Sequence, residues 1–342
     1  MESIYGYTEE MLKEYLVSKG EKPFRASQII EWLYRHKIES FDEMTNVKKS
    51  FIEELKKDFT LDKLELVTSQ KSFDGTQKFL FRLSDGNLIE TVLMNHDYGY
   101  SVCVTTEVGC NMGCMFCASG MKKKLRNLEA SEIVLQVLTV SKLADVRVSH
   151  VVVMGIGEPF DNYDNVIKFI KILNYPLGLE IGARHITVST CGLVEKIREY
   201  SDFDLQVNLA ISLHAPNNDI RNQIMPINRA YPIEELIEAI EYYIEKTNRR
   251  VTIEYILIKD LNDTKECANE LADLLHGLNV YVNLIPYNEV KEKPFKRSSK
   301  DSMVAFFDVL KKRRINVQLR KEQGGDIDAA CGQLRSKHMN NN

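Results

Sequence analysis

No stretch of the 342-residue chain carries the run of about 20 apolar residues that a membrane-spanning helix needs. The opening residues, MESIYGYTEEMLKEYL, also lack the basic segment and apolar core of a secretory leader. Both absences point to a cytoplasmic protein. Net charge is scarce too: 45 Lys and Arg against 49 Asp and Glu leave −4, which argues against a dedicated nucleic-acid coat. Two short basic runs exist, Lys122-Lys123-Lys124-Leu125-Arg126 and Lys311-Lys312-Arg313-Arg314. Most such runs are solvated faces, because phosphate binding needs a clustered patch rather than a short run; the first is of more interest because it directly follows a cluster of cysteines. There is no internal repeat and no low-complexity segment beyond the HMNNN tail. What is present is an ordinary globular composition, 44% hydrophobic and 27% charged. The length suits one large domain with a smaller accessory region.

Residues 1–60 read as short amphipathic helices over 8–16, 26–35 and 47–58, with Thr8 capping a stripe of Met11, Leu12 and Tyr15. The period then changes to two. KFLFRLSDGNLIETVLM alternates across Asp85-Gly86, the pattern of a β-hairpin. From Val102 onward, strand-like runs at 102–107, 150–154, 185–189, 206–212, 251–258 and 280–285 alternate with helical stretches at 130–144, 163–173, 232–246 and 264–275. That alternation predicts a parallel sheet covered by helices. Six such units are too few for a closed eight-unit barrel, which leaves an incomplete barrel or a doubly wound sheet. The unusual motifs all follow strand ends, where barrels carry their chemistry. We divide the chain into an accessory region (1–95), a main domain (96–320) and a C-terminal loop and tail (321–342).

A fourth cysteine is missing where three cluster. Cys110, Cys114 and Cys117 stand in TEVGCNMGCMFCASG, a glycine-rich loop unsuited to a buried apolar cluster. Structural zinc wants four ligands, usually in two pairs, so it would have to recruit Cys103 or a distant His. A four-iron cluster held by three cysteines keeps one iron open for a small molecule, whereas ferredoxin spacings supply a fourth. C-x3-C-x2-C with Phe116 before the last cysteine resembles the radical S-adenosylmethionine (SAM) enzymes. MGIGEPF (154–160) lacks the third glycine of a dinucleotide loop. In the resembling enzymes this motif binds the methionine amine, and Gly157-Glu158 matches it. Ser189, Ser212, Leu213 and His214 close further strands; singly each reads as a turn residue, together they suit a pocket for ribose, carboxylate and adenine. Cys331, in GGDIDAACGQLR, reads by composition as a small buried hydrophobe, but glycines on both sides free its loop. Cys103 sits at the start of a strand entering the same rim. Two such thiols allow thiolate attack and later disulfide formation. Cys191 and Cys267 read as structural.

Taken together, VGCNMGCMFCASG, GIGEPFDNYDNV, RHITVSTCGLV, LAISLHAPN, MPIN, NLIPYN and DIDAACGQLR resemble the dual-specificity 23S rRNA and tRNA adenine-C2 methyltransferases, the RlmN family, over essentially the whole chain. The resemblance implies an α/β fold: an incomplete (β/α)6 radical-SAM barrel with an N-terminal helical accessory domain and a small β extension. It implies one [4Fe-4S] cluster on Cys110, Cys114 and Cys117. Gly157, Glu158, Ser189, Ser212, Leu213, His214 and Asn288 would contact SAM, which is used twice per turnover. Adenine C2 has no nucleophilic lone pair, so the family takes a detour. Cys331 accepts a methyl from one SAM, and a deoxyadenosyl radical from a second removes a hydrogen from it. The carbon radical adds to C2, Glu90 takes the C2 proton, and Cys103 attacks Cys331 to release the product, leaving a disulfide. By itself Glu90 reads as a solvent-facing hairpin residue; the resemblance makes it the proton acceptor.

The implied partners are 23S rRNA at the peptidyl-transferase centre and tRNA at the adenosine 3′ of the anticodon. An electron donor such as flavodoxin or ferredoxin completes them, with the enzyme as a monomer and no membrane involved. The target base must leave its stack, and the N-terminal helices and basic runs are candidates for gripping folded RNA. Glu195 stands where many relatives have proline, which touches no role. The rival from the same superfamily is the adenine-C8 methyltransferase of the Cfr type; GEPF and STCGLV favour the C2 enzyme over relatives with GEAL and STIG. A zinc-dependent RNA-binding module is the rival from another class.

Overall fold

The computed structural model describes residues 1–327 and 333–335, so Cys331 lies outside the described residues. The N-terminal part comprises β1 (Glu2–Ser3), α1 (Glu9–Ser18), α2 (Arg25–Tyr34), α3 (Lys49–Asp58) and β2 (Phe59–Thr60), with β1 and β2 paired in parallel. Thr8 opens α1 as expected: its hydroxyl accepts the Met11 N–H at 3.3 Å, and Glu9 and Glu10 in the first turn complement the helix dipole. Leu12, Leu16, Ile29, Leu33, Phe51 and Leu55 point inward and join the core of the main domain.

Next come β3 (Glu65–Lys71), β4 (Gln77–Arg82), β5 (Leu88–His96) and β6 (Gly99–Cys103), all antiparallel in sequence. A short ribbon, β7 (Glu107–Val108) with β8 (Arg126–Asn127), precedes α4 (Ala130–Leu143). The repeating part follows: β9 (Val148–Val153), α5 (Tyr163–Asn174), β10 (Ile186–Thr190), α6 (Val194–Tyr200), β11 (Asn208–Ser212), α7 (Asn218–Ile224), α8 (Ile233–Thr247), β12 (Val251–Leu257), α9 (Lys265–Leu274), β13 (Val280–Pro286), α10 (Lys300–Lys312) and β14 (Val317–Leu319).

One ten-stranded sheet runs in the order β14-β13-β12-β11-β10-β9-β6-β5-β4-β3. From β6 to β14 every neighbour is parallel. The list has two edges, the mark of an open, incomplete barrel. The six expected units are present as β6 and β9 to β13, and a seventh parallel strand, β14, extends them. The three-residue β14 and the seven-residue α6 and α7 are too short to show a period, so the sequence reading passed over them. The expected hairpin is β4–β5, and its strands are no separate sheet: they continue the barrel sheet through the β5–β6 pairing, and residue 95 lies inside β5. Among the described residues no helix is long and apolar enough to cross a membrane.

Register fixes which side chains face the inside. Cys103 is opposite Val92 on β5 and Val152 on β9; Glu90 is opposite Leu80, and Lys78 opposite Val92. Side chains two apart share a face, so Lys78, Leu80, Glu90, Val92 and Cys103 all lie on one side. The other side carries Phe79, Phe81, Ile89, Thr91 and Leu93, packed towards α4; the Thr91 hydroxyl donates to Gln136 Oε1 at 2.9 Å.

Candidate active site

The three clustered cysteines occupy the loop between β7 and β8. Backbone bonds close that loop at its base, Leu125 N–H to Val108 O at 2.7 Å and Cys110 N–H to Lys122 O at 3.0 Å. Gly109 is required there: it has φ +87°, and a Cβ would stand 2.2 Å from Lys123 O. Met112, Cys114 and Phe116 pack against Ile224, Met225 and Tyr287, while Met115 N–H reaches Ile224 O at 2.9 Å. Burial pushes the Cys110 thiol up to about 12 and Cys114 higher still, and Cys117 raises both. Three thiolates therefore need a bound cation to coexist here. All-sulfur donors select soft metals and iron–sulfur clusters. Cys110, Cys114 and Cys117 are all reduced thiols on this one loop, so the donor set fits such a cluster.

The strand ends around this loop form a rim. Gly157 has φ +115°, and a Cβ there would fall 2.7 Å from Glu107 Cγ, so only glycine lets the turn after β9 lie against Glu107. The Glu158 carboxylate accepts the N–H groups of Phe160 at 3.0 Å and Cys191 at 2.8 Å, tying two strand ends together. Glu107 accepts Glu158 N–H at 3.1 Å and pairs with Lys124 at 2.8 Å, which also reaches Asp161 at 2.7 Å. Burial lifts Glu107 to about 7 against the pull of Lys124. Lys124 thus turns inward from the first basic run, which is not wholly solvated; Lys311 to Arg314 are all exposed, as expected.

Ser189 and Ser212 face one another, Oγ to Oγ, at 3.4 Å. His214 adopts the left-handed region (φ 59°), and its Nδ1 accepts Ile256 N–H at 3.1 Å. Burial, reinforced by the Arg221 charge, pushes His214 down to about 3, so the ring is neutral with its proton on Nε2. Phe116 meets that ring edge-on with centroids 5.0 Å apart. Leu213 is fully buried, its N–H bonded to Glu254 O at 3.1 Å and its carbonyl held by Arg221. A cavity of about 270 Å³ opens inside the rim, lined by Cys103, Phe116, Cys117, Met154 and Asn288 among others. Cys103 is the last residue of β6, not the first: the strand begins at Gly99, which puts this thiol directly at the rim.

This arrangement agrees with what the chain is similar to. The family model described as "Radical SAM superfamily" matches residues 104–275, and that of the "Ribosomal RNA large subunit methyltransferase N-terminal domain" matches 3–61. A probable dual-specificity RNA methyltransferase RlmN of Acholeplasma laidlawii is 60% identical, covering 98% of this chain and 99% of its own. Its counterpart in Enterococcus faecalis is 59% identical, covering 99% and 97%. The chain belongs to the RlmN family. A crystal structure of a radical SAM methyltransferase from Sphaerobacter thermophilus superposes with a TM-score of 0.91 at 44% identity, over 97% of this chain and 99% of that one. The chain is accordingly a radical SAM RNA methyltransferase.

Within this RlmN-family fold, Glu90 is not the solvent-facing hairpin residue that alternation alone suggests. Its Oε2 lies 2.9 Å from Lys78 Nζ, with side-chain exposures of 3% and 0%, and its Oε1 accepts Arg335 N–H at 2.5 Å. Leu334 fills the space between Leu80 and Leu88 on the same face. The segment ahead of it is held as well. Asp74 Oδ2 accepts Gly324 N–H at 2.7 Å, Asp326 accepts Phe73 N–H at 3.2 Å, and Ser72 bonds Asp326. Residues 324–326 and 334–335 are therefore both pinned to the β3–β5 extension. Lys78, Arg221, Glu107 and Arg335 were all missed at the sequence level. Only Lys78 left a signal there, a cation in strand period on a hairpin that also carries Glu90.

Proposed function

We propose that the chain methylates C2 of adenosine in 23S rRNA and in tRNA, with Cys331 as the methyl carrier. The observation that carries this reading is the shared sheet face of Glu90 and Cys103, onto which the segment just after Cys331 is anchored by Leu334 and Arg335. A cluster held by Cys110, Cys114 and Cys117 would supply the electron that cleaves SAM. Ser189 and Ser212 offer hydroxyls to a ribose, and the neutral His214 presents Nε2–H as a donor. The Glu158 oxygens are already bonded to backbone N–H groups, so in this reading the turn 154–158 offers carbonyl oxygens to the methionine amine. Cys331 accepts a methyl in one displacement and, once that methyl has lost a hydrogen atom, delivers its carbon to C2.

Glu90, held by Lys78 and the Arg335 N–H, takes the C2 proton on a carboxylate oxygen as the adduct gives up its unpaired electron, which the oxidised cluster would accept. The Cys103 thiolate then attacks the Cys331 sulfur, the electron pair of the sulfur–carbon bond goes to the product carbon, that carbon takes a proton to become the methyl, and a disulfide remains for an outside reductant. Two SAM are consumed per turnover. A small redox protein such as flavodoxin or ferredoxin would supply electrons to a cytoplasmic, monomeric enzyme. Residues 1–95 would grip the RNA, 96–320 hold the radical site, and 321–342 bring Cys331 to it. The test uses anaerobically reconstituted protein, CD3-labelled SAM, reductant, and unmodified 23S rRNA and tRNA, with nucleosides read by mass spectrometry. C2-methyladenosine bearing two deuteriums from both RNAs is expected. A C8 product would overturn the regiochemistry, and a three-deuterium methyl would overturn the role of Cys331.

A further inference from the structure

Arg221, on α7, is fully buried at 0% exposure. Its guanidinium donates to Cys191 O at 2.7 Å, Asn228 Oδ1 at 2.9 Å, Leu213 O at 3.1 Å and Ser212 O at 3.3 Å. Every acceptor is neutral. Among the described residues no carboxylate lies within ion-pairing distance of it. Neutral donors satisfy carbonyl groups equally well, and a charge taken out of water without a counter-ion is costly. The bonds to the rim explain a donor at this position but not a cation.

The anion it faces is indicated by its neighbours. Ile224, one turn further along α7, receives Met115 N–H at 2.9 Å. Ile224 and Met225 pack against Met112, Cys114 and Phe116, and Cys191, whose carbonyl Arg221 holds, belongs to the same apolar cluster. The guanidinium thus lies beside the apolar cluster that backs the cysteine loop and out of contact with water, where charge is poorly screened. Burial draws Arg221 down to about 10, which still leaves it charged at neutral pH, and Cys191 and Cys114 pull the other way.

We propose that Arg221 is the built-in counter-charge of the iron–sulfur cluster, holding it in a more easily reduced state while its fork fixes the rim. The inference rests on the reading of Cys110, Cys114 and Cys117 as cluster ligands. Its sign follows from charge alone: reduction adds one electron to an already anionic assembly, so a nearby cation stabilises the reduced form more than the oxidised one. Arg221 acts through the cluster and is a positioning residue.

The test compares wild type, Arg221→Gln and Arg221→Lys after anaerobic reconstitution, by iron and sulfide content and by a redox titration followed by electron paramagnetic resonance. Arg221→Gln keeps amide donors for the rim but loses the charge; Arg221→Lys keeps the charge but loses the fork. The glutamine variant is expected to load iron like wild type yet show about a tenfold lower ratio of reduced to oxidised cluster at a set potential, ~59 mV for one electron. The lysine variant should titrate near wild type while binding SAM more weakly. An Arg221→Gln protein with full iron and an unchanged midpoint would overturn the proposal. Should that variant not fold, an Arg221→Lys midpoint displaced by the full tenfold would overturn it instead. A wild-type chain that takes up zinc and no iron would remove the cluster reading itself, and this role with it.

Discussion

Lys78→Met cuts the buried ion pair on the inner face of the extension and leaves the Glu90 carboxylate without this cation, though still bonded to the Arg335 N–H. The pair is 2.9 Å apart, with side chains 0% and 3% exposed. Breaking a buried pair from one side costs ~3–5 kcal/mol, since the remaining charge has lost its compensation. At ~2.1 cal/mol/K per residue, a chain of this length unfolds with an entropy of ~0.7 kcal/mol/K, so a loss of ~4 kcal/mol lowers Tm by about 6 °C. Replacing both partners behaves differently. Lys78→Met with Glu90→Leu puts apolar groups beside Leu80, Leu88 and Leu334, where substitution of a whole pair is often neutral or stabilising. The Arg335 N–H then loses its acceptor, worth ~1 kcal/mol, and the double variant should recover most of the remainder. Scanning calorimetry of the two single variants and the double variant closes the cycle. A Lys78→Met loss below about 2 °C, or a double variant that falls by the sum of the singles, would refute the account of a mutually dependent buried pair.

Cys331→Ala should abolish methyl transfer while SAM cleavage continues, and Cys103→Ala should accumulate an enzyme–RNA crosslink visible on denaturing gels; methylation by the first, or turnover by the second, removes the role assigned to that thiol. The folded pKa of His214, about 3, lies below its ordinary 6.5, so unfolding takes up a proton between those values. Its share of stability is present above pH 6.5 and is lost as pH falls towards 3, at ~1.4 kcal/mol per pH unit. His214→Asn keeps an acceptor for Ile256 N–H and should flatten that slope in acid unfolding curves; an unchanged slope would count against the assignment. Gly109→Ala forces a Cβ against Lys123 O at 2.2 Å and should lower iron loading severalfold; wild-type iron content would show that the loop base is dispensable.

How far the fold was legible depended on how long a pattern persists. The strands β9, β10, β12 and β13 announce themselves by β-branched residues, β11 by its apolar Leu-Ala-Ile core, and the cysteine spacing marks its loop without any tertiary information. The inner face of β4 and β5 was not legible. Strict alternation predicts one wet face, yet the four middle residues of Gln77–Arg82, Lys78 to Phe81, are all buried. The cover comes from residues near 334, which no local window contains. Arg221 was hidden for a related reason: seven residues of α7 give no period, and its significance lies in what surrounds it. Cys103 was assigned to the right rim but the wrong end of its strand, because β6 starts with Gly99 and Tyr100 rather than with the apolar run that begins at Val102.

The bond from Arg335 to Glu90 spans 245 residues of sequence, and that from Gly324 to Asp74 spans 250. Contacts of such separation form late in folding, because the loop they close is expensive in entropy. During synthesis the extension, the cysteine loop and the strands up to β13 emerge before residues 324–335 do. In the proposed mechanism, a chain halted before residue 331 would lack the thiol that turns SAM cleavage into methylation. The belt that joins early strands to late residues would then tie competence to completion of the chain.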